Sequence, residues 1–115
     1  MNTVSTARIV VVCDADPDPS YLEQEGWEDR LAQYRNGDFE FVGVYLEADV
    51  HVPVFDGTIT MLTKERSCGL WGIESDSGED YFRSVACDEY HEFAAMLAAM
   101  NCGLPVNLDS EIVYR

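Results

Sequence analysis

Lysine and arginine are scarce in this chain: seven of its 115 residues are basic, against 22 aspartates and glutamates. The seven cations are scattered, so they do not form the basic footprint that binds a phosphate backbone. The resulting net charge of −15 repels nucleic acid and anionic membranes and attracts basic protein surfaces. We therefore expect the partner to be a basic protein surface, with no direct binding of nucleic acid or membrane.

Closely spaced cysteine pairs are lacking as well. The cysteines at positions 13, 68, 87 and 102 are far apart in the sequence, whereas zinc fingers and redox motifs need pairs such as Cys-x-x-Cys. Cys13 ends an apolar run and Cys102 lies at a predicted helix end, and cysteines in such places are commonly buried. The sequence thus predicts neither a bound metal nor another cofactor.

The chain also lacks a membrane segment and a recognisable catalytic motif. No apolar run approaches the ~18 residues of a membrane span, and no apolar signal segment opens the sequence, so we expect a cytoplasmic protein. No phosphate-binding loop, zinc-protease motif or nucleophile elbow occurs. We therefore predict no catalytic residue and a protein that is not an enzyme.

The chain does have enough apolar sequence for one core. Hydrophobic residues make up 47% of it, and 115 residues is the size of one domain. The order of its stretches is β-α-β-β-β-α, followed at 108–114 by a last strand or a loose tail, and consecutive strands in the middle indicate an antiparallel sheet. We predict one α+β domain over residues 1–115, with residues 1–6 as a polar tail. Four or five strands form the sheet, and two helices pack on one of its faces.

The strands follow from short apolar runs bounded by turn residues. They are predicted at 7–13, 38–46, 58–63 and 69–74, while 48–55 alternates less clearly. Both faces of 38–46 are apolar, which favours a central strand, whereas Pro53 makes 48–55 an edge strand or a bend. We expect Trp71 to be buried because it lies in an apolar strand, and Phe93 because it lies on the apolar face of a helix.

Two helical stretches are predicted. The first covers 21–35, although Gly26 weakens it. The second covers 79–85 and 88–101, as two helices or as one continuous helix. Residues 101–105 stop it, because they contain a glycine just past the helix end and a proline beyond.

An acidic loop follows the first strand. Asp14, Asp16 and Asp18 occupy the first, third and fifth positions of a frame whose twelfth position is Glu25, which is the spacing of a calcium loop. The sixth position of such a loop needs glycine for its sharp turn, but here it is Pro19, whose φ is fixed at a negative value. A strand followed by Asp-x-Asp is also typical of haloacid-dehalogenase phosphatases, yet the chain is too short for that fold. We interpret the segment as a solvated acidic loop.

The stretch 69–82 joins a short apolar strand to the most helical part of the chain through a polar turn, and it places four carboxylates close to Trp71. Rows of carboxylates can imitate a nucleic-acid backbone toward a basic groove. We therefore predict that these acids and those of the loop after the first strand bind the partner. The predicted partner-binding residues are Glu74, Asp76, Glu79, Asp80, Asp14, Asp16 and Asp18.

The sequence GLWGIESDS at 69–77, followed by Tyr81 and an acidic helix, resembles a family of short acidic proteins encoded by bacteriophages and plasmids. The segment FVGV at 41–44, preceded by Gly37, fits the same pattern, and the resemblance covers residues 21–100. It implies a mobile-element context rather than a catalytic site. Small acidic proteins of such elements often inhibit host defence, as anti-CRISPR and anti-restriction proteins do.

Charge and resemblance together favour a non-enzymatic interaction protein, a monomer or homodimer. It would bind the basic surface of a host nucleic-acid-binding defence complex and inhibit it by mimicking DNA. Two alternatives stay open. One is a small accessory or structural domain whose charge serves solubility, and the other is a metal-dependent enzyme that uses the loop from Asp14 to Asp18.

Overall fold

A computed structural model of the protein describes residues 2–100, 102 and 107–115. The described chain contains five strands and two α-helices, and a short 3₁₀ helix covers Ser20–Glu23. The elements are β1 (Thr3–Cys13), α1 (Glu28–Arg35), β2 (Phe41–Val54), β3 (Ile59–Arg66), β4 (Leu70–Glu74), α2 (Glu79–Ala99) and β5 (Asn107–Tyr114). The predicted α+β class is confirmed.

The sheet has the strand order β3-β2-β1-β5, and β4 also pairs with β2. Neighbouring strands are antiparallel except β1 and β5, which run parallel. The sheet is therefore mixed, whereas the sequence predicted an antiparallel sheet. The cause is α2, which connects β4 to β5, because a helical crossover brings the chain back in the direction of the preceding strand. Since β4 and β1 are both antiparallel to β2, β5 also runs parallel to β1.

Strand β2 is longer than either strand predicted in its place. The stretches predicted at 38–46 and 48–55 form one strand of 14 residues, and its first part is central, as expected. Its described pairing with β1 ends at His51. Pro53 therefore lies where β2 pairs with β3 alone, and a strand with one free side tolerates proline.

The predicted polar tail at residues 1–6 is wrong for residues 3–6. These residues belong to β1, and Thr3 and Val4 pair with His51 and Val50. Threonine and valine favour the extended backbone, and β2 extends far enough to pair with them. Polarity alone therefore made this segment look like a tail.

The main core lies between the sheet and α2. Side chains at even positions of β2 from Val42 to Val50 point toward α2, which contributes Phe93 and Leu97. Phe93 is 1% exposed, so its predicted burial is confirmed. The fully buried members of this core include Ile9, Val44, Leu46, Val50, Phe93 and Leu97.

A second, smaller cluster lies on the opposite side of β2. Phe41 points away from α2 and packs with Leu22 and Phe39, and Leu31 and Tyr34 of α1 lie against these three side chains. The prediction that both helices pack on one face of the sheet is therefore wrong, because they lie on opposite faces. The alternation of apolar residues along β2 explains the difference, because each face offers an apolar surface that a helix can cover.

The first predicted helical stretch is shorter than expected, whereas the second confirms the alternative of one continuous helix. The helix predicted over 21–35 is interrupted, because Gly26 adopts a φ of 94°, and only Glu28–Arg35 is α-helical. The second stretch is one helix of 21 residues, since no glycine or proline occurs within it. The predicted helix stop at 101–105 lies outside the described residues, apart from Cys102. Neither described helix is long and apolar enough to span a membrane.

The two cysteines predicted to be buried behave differently. Cys102 is 7% exposed, which confirms its predicted burial, and that burial raises the pKa of its thiol. The predicted burial of Cys13 is wrong, because the residue is exposed. It is the last residue of β1, and its sulfur lies beside the Asp14 carbonyl and the Glu40 carboxylate. The end of a strand thus leaves it uncovered.

A buried carboxylate ties three strands together on the sheet face opposite α2. Glu47 of β2 is 6% exposed and accepts hydrogen bonds from Arg115 at 2.7 and 2.8 Å and from Arg8 of β1 at 2.6 and 2.8 Å. The hydrogen bonds from Arg115, and to a smaller extent those from Arg8, lower the pKa of Glu47 to about 2. Arg8 also pairs with Asp49 at 2.9 Å and lowers the pKa of that carboxyl. The network fastens the residue that follows β5 to β2 across β1.

Candidate functional site

A β-bulge in β4 is the origin of the site. Val42 pairs with Ile73 and Val44 with Leu70, so two residues of β4, Trp71 and Gly72, stand opposite the single residue between those valines in β2. Gly72 has a φ of 74°, a conformation that glycine adopts without steric cost and that bulges use. The extra residue reverses the direction of the Trp71 side chain relative to that of Ile73, which points into the core.

Trp71 therefore lies on the outer face of the sheet. Its indole lies over Gly43, where a Cβ atom would overlap the ring. The ring stacks on Tyr45 at a centroid distance of 6.2 Å and an interplanar angle of 28°, and its N–H donates to the Cys68 carbonyl at 2.9 Å. The predicted burial of Trp71 is wrong, since 41% of the residue is exposed. The indole is therefore held in place by Gly43, Tyr45 and Cys68, and its other face is exposed to solvent.

The acidic loop after β1 is attached to β4 at both ends. At one end Asp14 Oδ2 accepts a hydrogen bond from the Gly72 N–H at 3.1 Å, which uses the donor that the bulge frees. At the other end the Tyr21 hydroxyl donates to Glu74 Oε1 at 3.1 Å. The fold thereby brings together the two acidic segments, 53 to 58 positions apart in sequence, that were predicted to bind the partner.

Arg30 of α1 closes the arrangement. Its guanidinium pairs with Glu74 at 2.5 Å and with Asp76 at 2.6 Å and lies 3.7 Å from the centre of the Phe39 ring. The hydrogen bond from Arg30 lowers the pKa of Asp76. Burial, with the neighbouring Glu74 carboxylate, raises the pKa of Tyr21 to about 12. Two of the predicted partner-binding carboxylates are thus already held by an arginine of the same chain.

These residues form an open groove of ≈ 500 Å³, called the acidic–aromatic groove below. Its apolar part is exposed: Leu70, Trp71 and Tyr81 are 45%, 41% and 46% accessible to solvent. Large apolar side chains that stay half exposed beside polar ones mark surfaces that bind other molecules. The lining residues are Tyr21, Arg30, Leu70, Trp71, Gly72, Ile73, Glu74, Asp76, Ser77 and Tyr81.

The other predicted partner-binding acids lie near this groove in sequence and point to solvent. Glu79 and Asp80 open α2 between the groove residues Ser77 and Tyr81, and Glu79 pairs only loosely with Arg83, at 3.4 Å. The side chain of Asp80 is fully exposed. Their position in the first turn is favourable for a helix, because its N-terminal end attracts negative charge. That they bind a partner stays a prediction.

In the loop, the carboxylates of Asp14 and Asp18 accept hydrogen bonds from backbone N–H groups two residues further on, at Asp16 and Ser20. The hydrogen bonds from Ser20 also lower the pKa of Asp18. Asp16 and Asp18 are exposed. Across the described ranges, no three side chains of histidine, cysteine, aspartate or glutamate form a group that could hold a metal ion.

None of the aromatic and basic residues that line the groove was predicted from the sequence to bind a partner. Tyr21, Arg30 and Tyr81 belong to different elements, and only the folded chain brings them to one place. Trp71 was predicted to be buried because it lies in an apolar strand, but the bulge turns its side chain away from that of Ile73. The one available signal was Gly72, since glycine inside a strand often marks a bulge.

Comparison with known proteins gives no match. No protein-family model, curated protein or solved structure matches the chain. The function has to be inferred from the chemistry of the groove itself.

Proposed function

We propose that this chain is an interaction protein that binds a basic protein surface through the acidic–aromatic groove. The observation that carries the proposal is the fixed, outward-facing indole of Trp71 in a groove that carboxylates surround. The partner would be a protein whose basic surface otherwise binds nucleic acid. A bound copy of this chain would then block that surface.

The aromatic part of the groove supplies the attachment point. Arginine and lysine side chains are attracted to the faces of aromatic rings, tryptophan most strongly. Trp71 and Tyr81 both line the groove and are half exposed, so a basic side chain can reach their rings. Tryptophan, tyrosine and arginine are also the residues that contribute most of the binding energy in protein interfaces.

The carboxylates supply attraction and orientation. Asp16, Asp18, Glu79 and Asp80 are exposed, and opposite charges at the rim of an interface accelerate association and select the partner. Glu74 and Asp76 have a structural role instead, because both form ion pairs with Arg30. They fix the shape of the groove and leave the outer carboxylates to meet the partner.

Trp71 and Arg30 of the groove are also held by contacts within the chain, which lowers the cost of binding. Trp71 is stacked on Tyr45 and hydrogen-bonded through its N–H, and Arg30 joins α1 to the turn after β4. Side chains that are ordered before binding lose little conformational entropy on binding.

The proposed setting is the cytoplasm of a host cell that carries a mobile element. There the chain would inhibit a nucleic-acid-binding defence complex, such as a CRISPR or restriction complex, by occupying its DNA site. Two features support this setting. The net charge of −15 gives the chain the sign of nucleic acid, and residues 69–77 resemble acidic proteins of phages and plasmids.

The experiment is a pull-down from bacterial host lysate at low and at high salt, with matched variants of the immobilised protein. The double variant Glu79→Gln, Asp80→Asn removes two charges beside the groove. The control Asp88→Asn, Glu92→Gln removes two exposed charges further along the same helix. Tyr81→Ala, with Tyr114→Ala as its control, tests the aromatic part, since both tyrosines are about half exposed (46% and 57%).

We expect a partner that is retained at low salt, is lost at high salt, and is weakened by the groove variants but not by their controls. Equal losses in the groove variants and their controls would show that only total charge matters, and would contradict binding through the groove. If the wild type retains no protein at low salt, the result would support the alternative that the charge serves only solubility.

A further inference from the structure

The β2–β3 hairpin projects from the body of the protein. The molecule measures 61 × 22 × 21 Å with a radius of gyration of 17.7 Å, whereas a globular chain of this length has a radius of about 13 Å. Within the part of the chain that the structure describes, β2 and β3 pair only with each other beyond His51, the last residue of β2 that pairs with β1. The hairpin ends in a turn at Phe55 and Asp56.

One face of this hairpin is apolar and continues the core face of the sheet. Val50 is buried in the core under α2, and Val52 and Val54 follow it on the same face of β2. Across the ladder, Val52 pairs with Met61 and Val54 with Ile59. Ile59 and Met61 are 51% and 52% exposed. We call Val52, Val54, Ile59 and Met61 the hairpin face.

Charge decides which occupant fits the hairpin face. Asp56 is the only charged residue between positions 50 and 63, while the whole chain carries −15. A basic partner finds little to attract it there. A second copy of this chain is repelled over most of the remaining surface, but at the hairpin each copy carries only the one acidic charge of Asp56.

Shape adds to the same conclusion. From Gly43 to Phe55 the strand covers about 40 Å, so the hairpin tip is far from the acidic–aromatic groove. This distance is several times the ~8 Å screening length at physiological salt. Two copies joined through their hairpins would keep their acidic bodies apart.

We propose that the hairpin face is the contact of a symmetric homodimer, in which it packs against the same face of a second copy. The contact is isologous, because each copy contributes the same four side chains. β3 is eight residues, or about 27 Å, long, so the contact is smaller than a standard interface of about 800 Å² per partner. The dimer therefore forms weakly and depends on concentration.

The test is sedimentation equilibrium of the whole chain from micromolar to submillimolar concentration, at low and high salt. We expect the mass to rise from 12.9 kDa toward twice that value. High salt should strengthen the association, because it screens the repulsion between the bodies and favours apolar contact. This direction is opposite to that expected for the groove and a basic partner, so the two proposals fail separately.

Two variants locate the contact. Met61→Lys places a charge on the hairpin face, and Leu62→Lys places the same charge on the opposite face, at a residue that is 57% exposed. Circular dichroism checks that both variants fold. We expect Met61→Lys to lower the association constant at least tenfold and Leu62→Lys to leave it within twofold.

Three results would overturn the proposal. A wild type that stays monomeric at every concentration would mean that the hairpin face serves another protein. Equal loss of association in both variants would place the contact at the exposed edge of β3 instead of its face. Association that weakens in high salt would show an ionic contact.

Discussion

The indole of Trp71 occupies the space that a side chain at Gly43 would fill. A Cβ atom built at Gly43 would overlap the six-membered part of the indole, although the two residues are 28 positions apart. The position of the indole depends on the bulge at Gly72, which directs Trp71 to the outer face of the sheet. The exposed aromatic surface of the groove therefore requires the absence of a side chain on the neighbouring strand.

The first prediction is that Gly43→Ala displaces Trp71 and destabilises the fold by roughly 1–3 kcal/mol, as overpacking does. Denaturant unfolding measures the loss, and the fluorescence of Trp71 in a Trp27→Phe background reports the displacement. In a Trp71→Ala background, Gly43→Ala should cost much less, because the overlapping ring is gone. Purely additive effects of the two substitutions would contradict this packing.

Arg30→Lys is predicted to lower the midpoint of thermal unfolding, and Arg30→Ala to lower it further. Lysine keeps the charge but cannot hold Glu74 and Asp76 together with a planar group that also stacks on Phe39. The control is Arg35→Lys, on the exposed last turn of the same helix, which should leave the midpoint unchanged. Similar midpoints for all three variants would mean that the Arg30 contacts do not fasten α1.

The third prediction concerns Glu47 and pH. Its pKa in the folded state is about 2, below the ordinary value of 4.5, so the ionised carboxylate stabilises the fold above pH 4.5, and this contribution disappears as the pH falls toward 2. We expect Glu47→Gln to lower the free energy of unfolding by roughly 2–3 kcal/mol at neutral pH. The difference from wild type should shrink to near zero at the acid end, and a difference that does not change with pH would contradict the ion-pair account.

The hairpin turn gives a stabilising prediction. Phe55 has a φ of 53° and is 76% exposed, and a bulky residue in this conformation is strained. Phe55→Asn should raise the free energy of unfolding by about 1 kcal/mol, because asparagine tolerates the left-handed conformation. Phe55→Ala, which removes the ring but not the Cβ strain, is the control and should stabilise less. Lower stability of the asparagine variant would mean that the Phe55 ring makes stabilising contacts.

The parts of the fold that depend on local pattern could be predicted from the sequence. Phe93 lies on a helical apolar face and is buried, and β2 is central because both its faces are apolar. The predicted stretches 48–55 and 58–63 also leave Asp56 and Gly57 between them, where the structure has the hairpin turn. Each of these inferences needs only periodicity and the preferences of a few neighbouring residues.

The rest depends on contacts between distant residues. The bulge at Trp71 and Gly72 shifts the alternation of β4 by one residue, so the apolar character of the strand did not reveal that Trp71 is exposed. The link from Asp14 to Gly72 and the clamp of Arg30 on Glu74 exist only once β1, α1 and β4 are assembled. The sequence therefore indicated where acidic residues cluster, but not which of them form ion pairs with an arginine of the same chain.

The most direct test of the central claim is competition between this protein and DNA for the partner captured from host lysate. The claim is that the acidic–aromatic groove occupies a basic surface that otherwise binds nucleic acid. DNA should then release the partner in proportion to its concentration, and Glu79→Gln, Asp80→Asn should make release easier while Asp88→Asn, Glu92→Gln does not. If the partner binds DNA and this protein simultaneously and independently, mimicry of nucleic acid is contradicted.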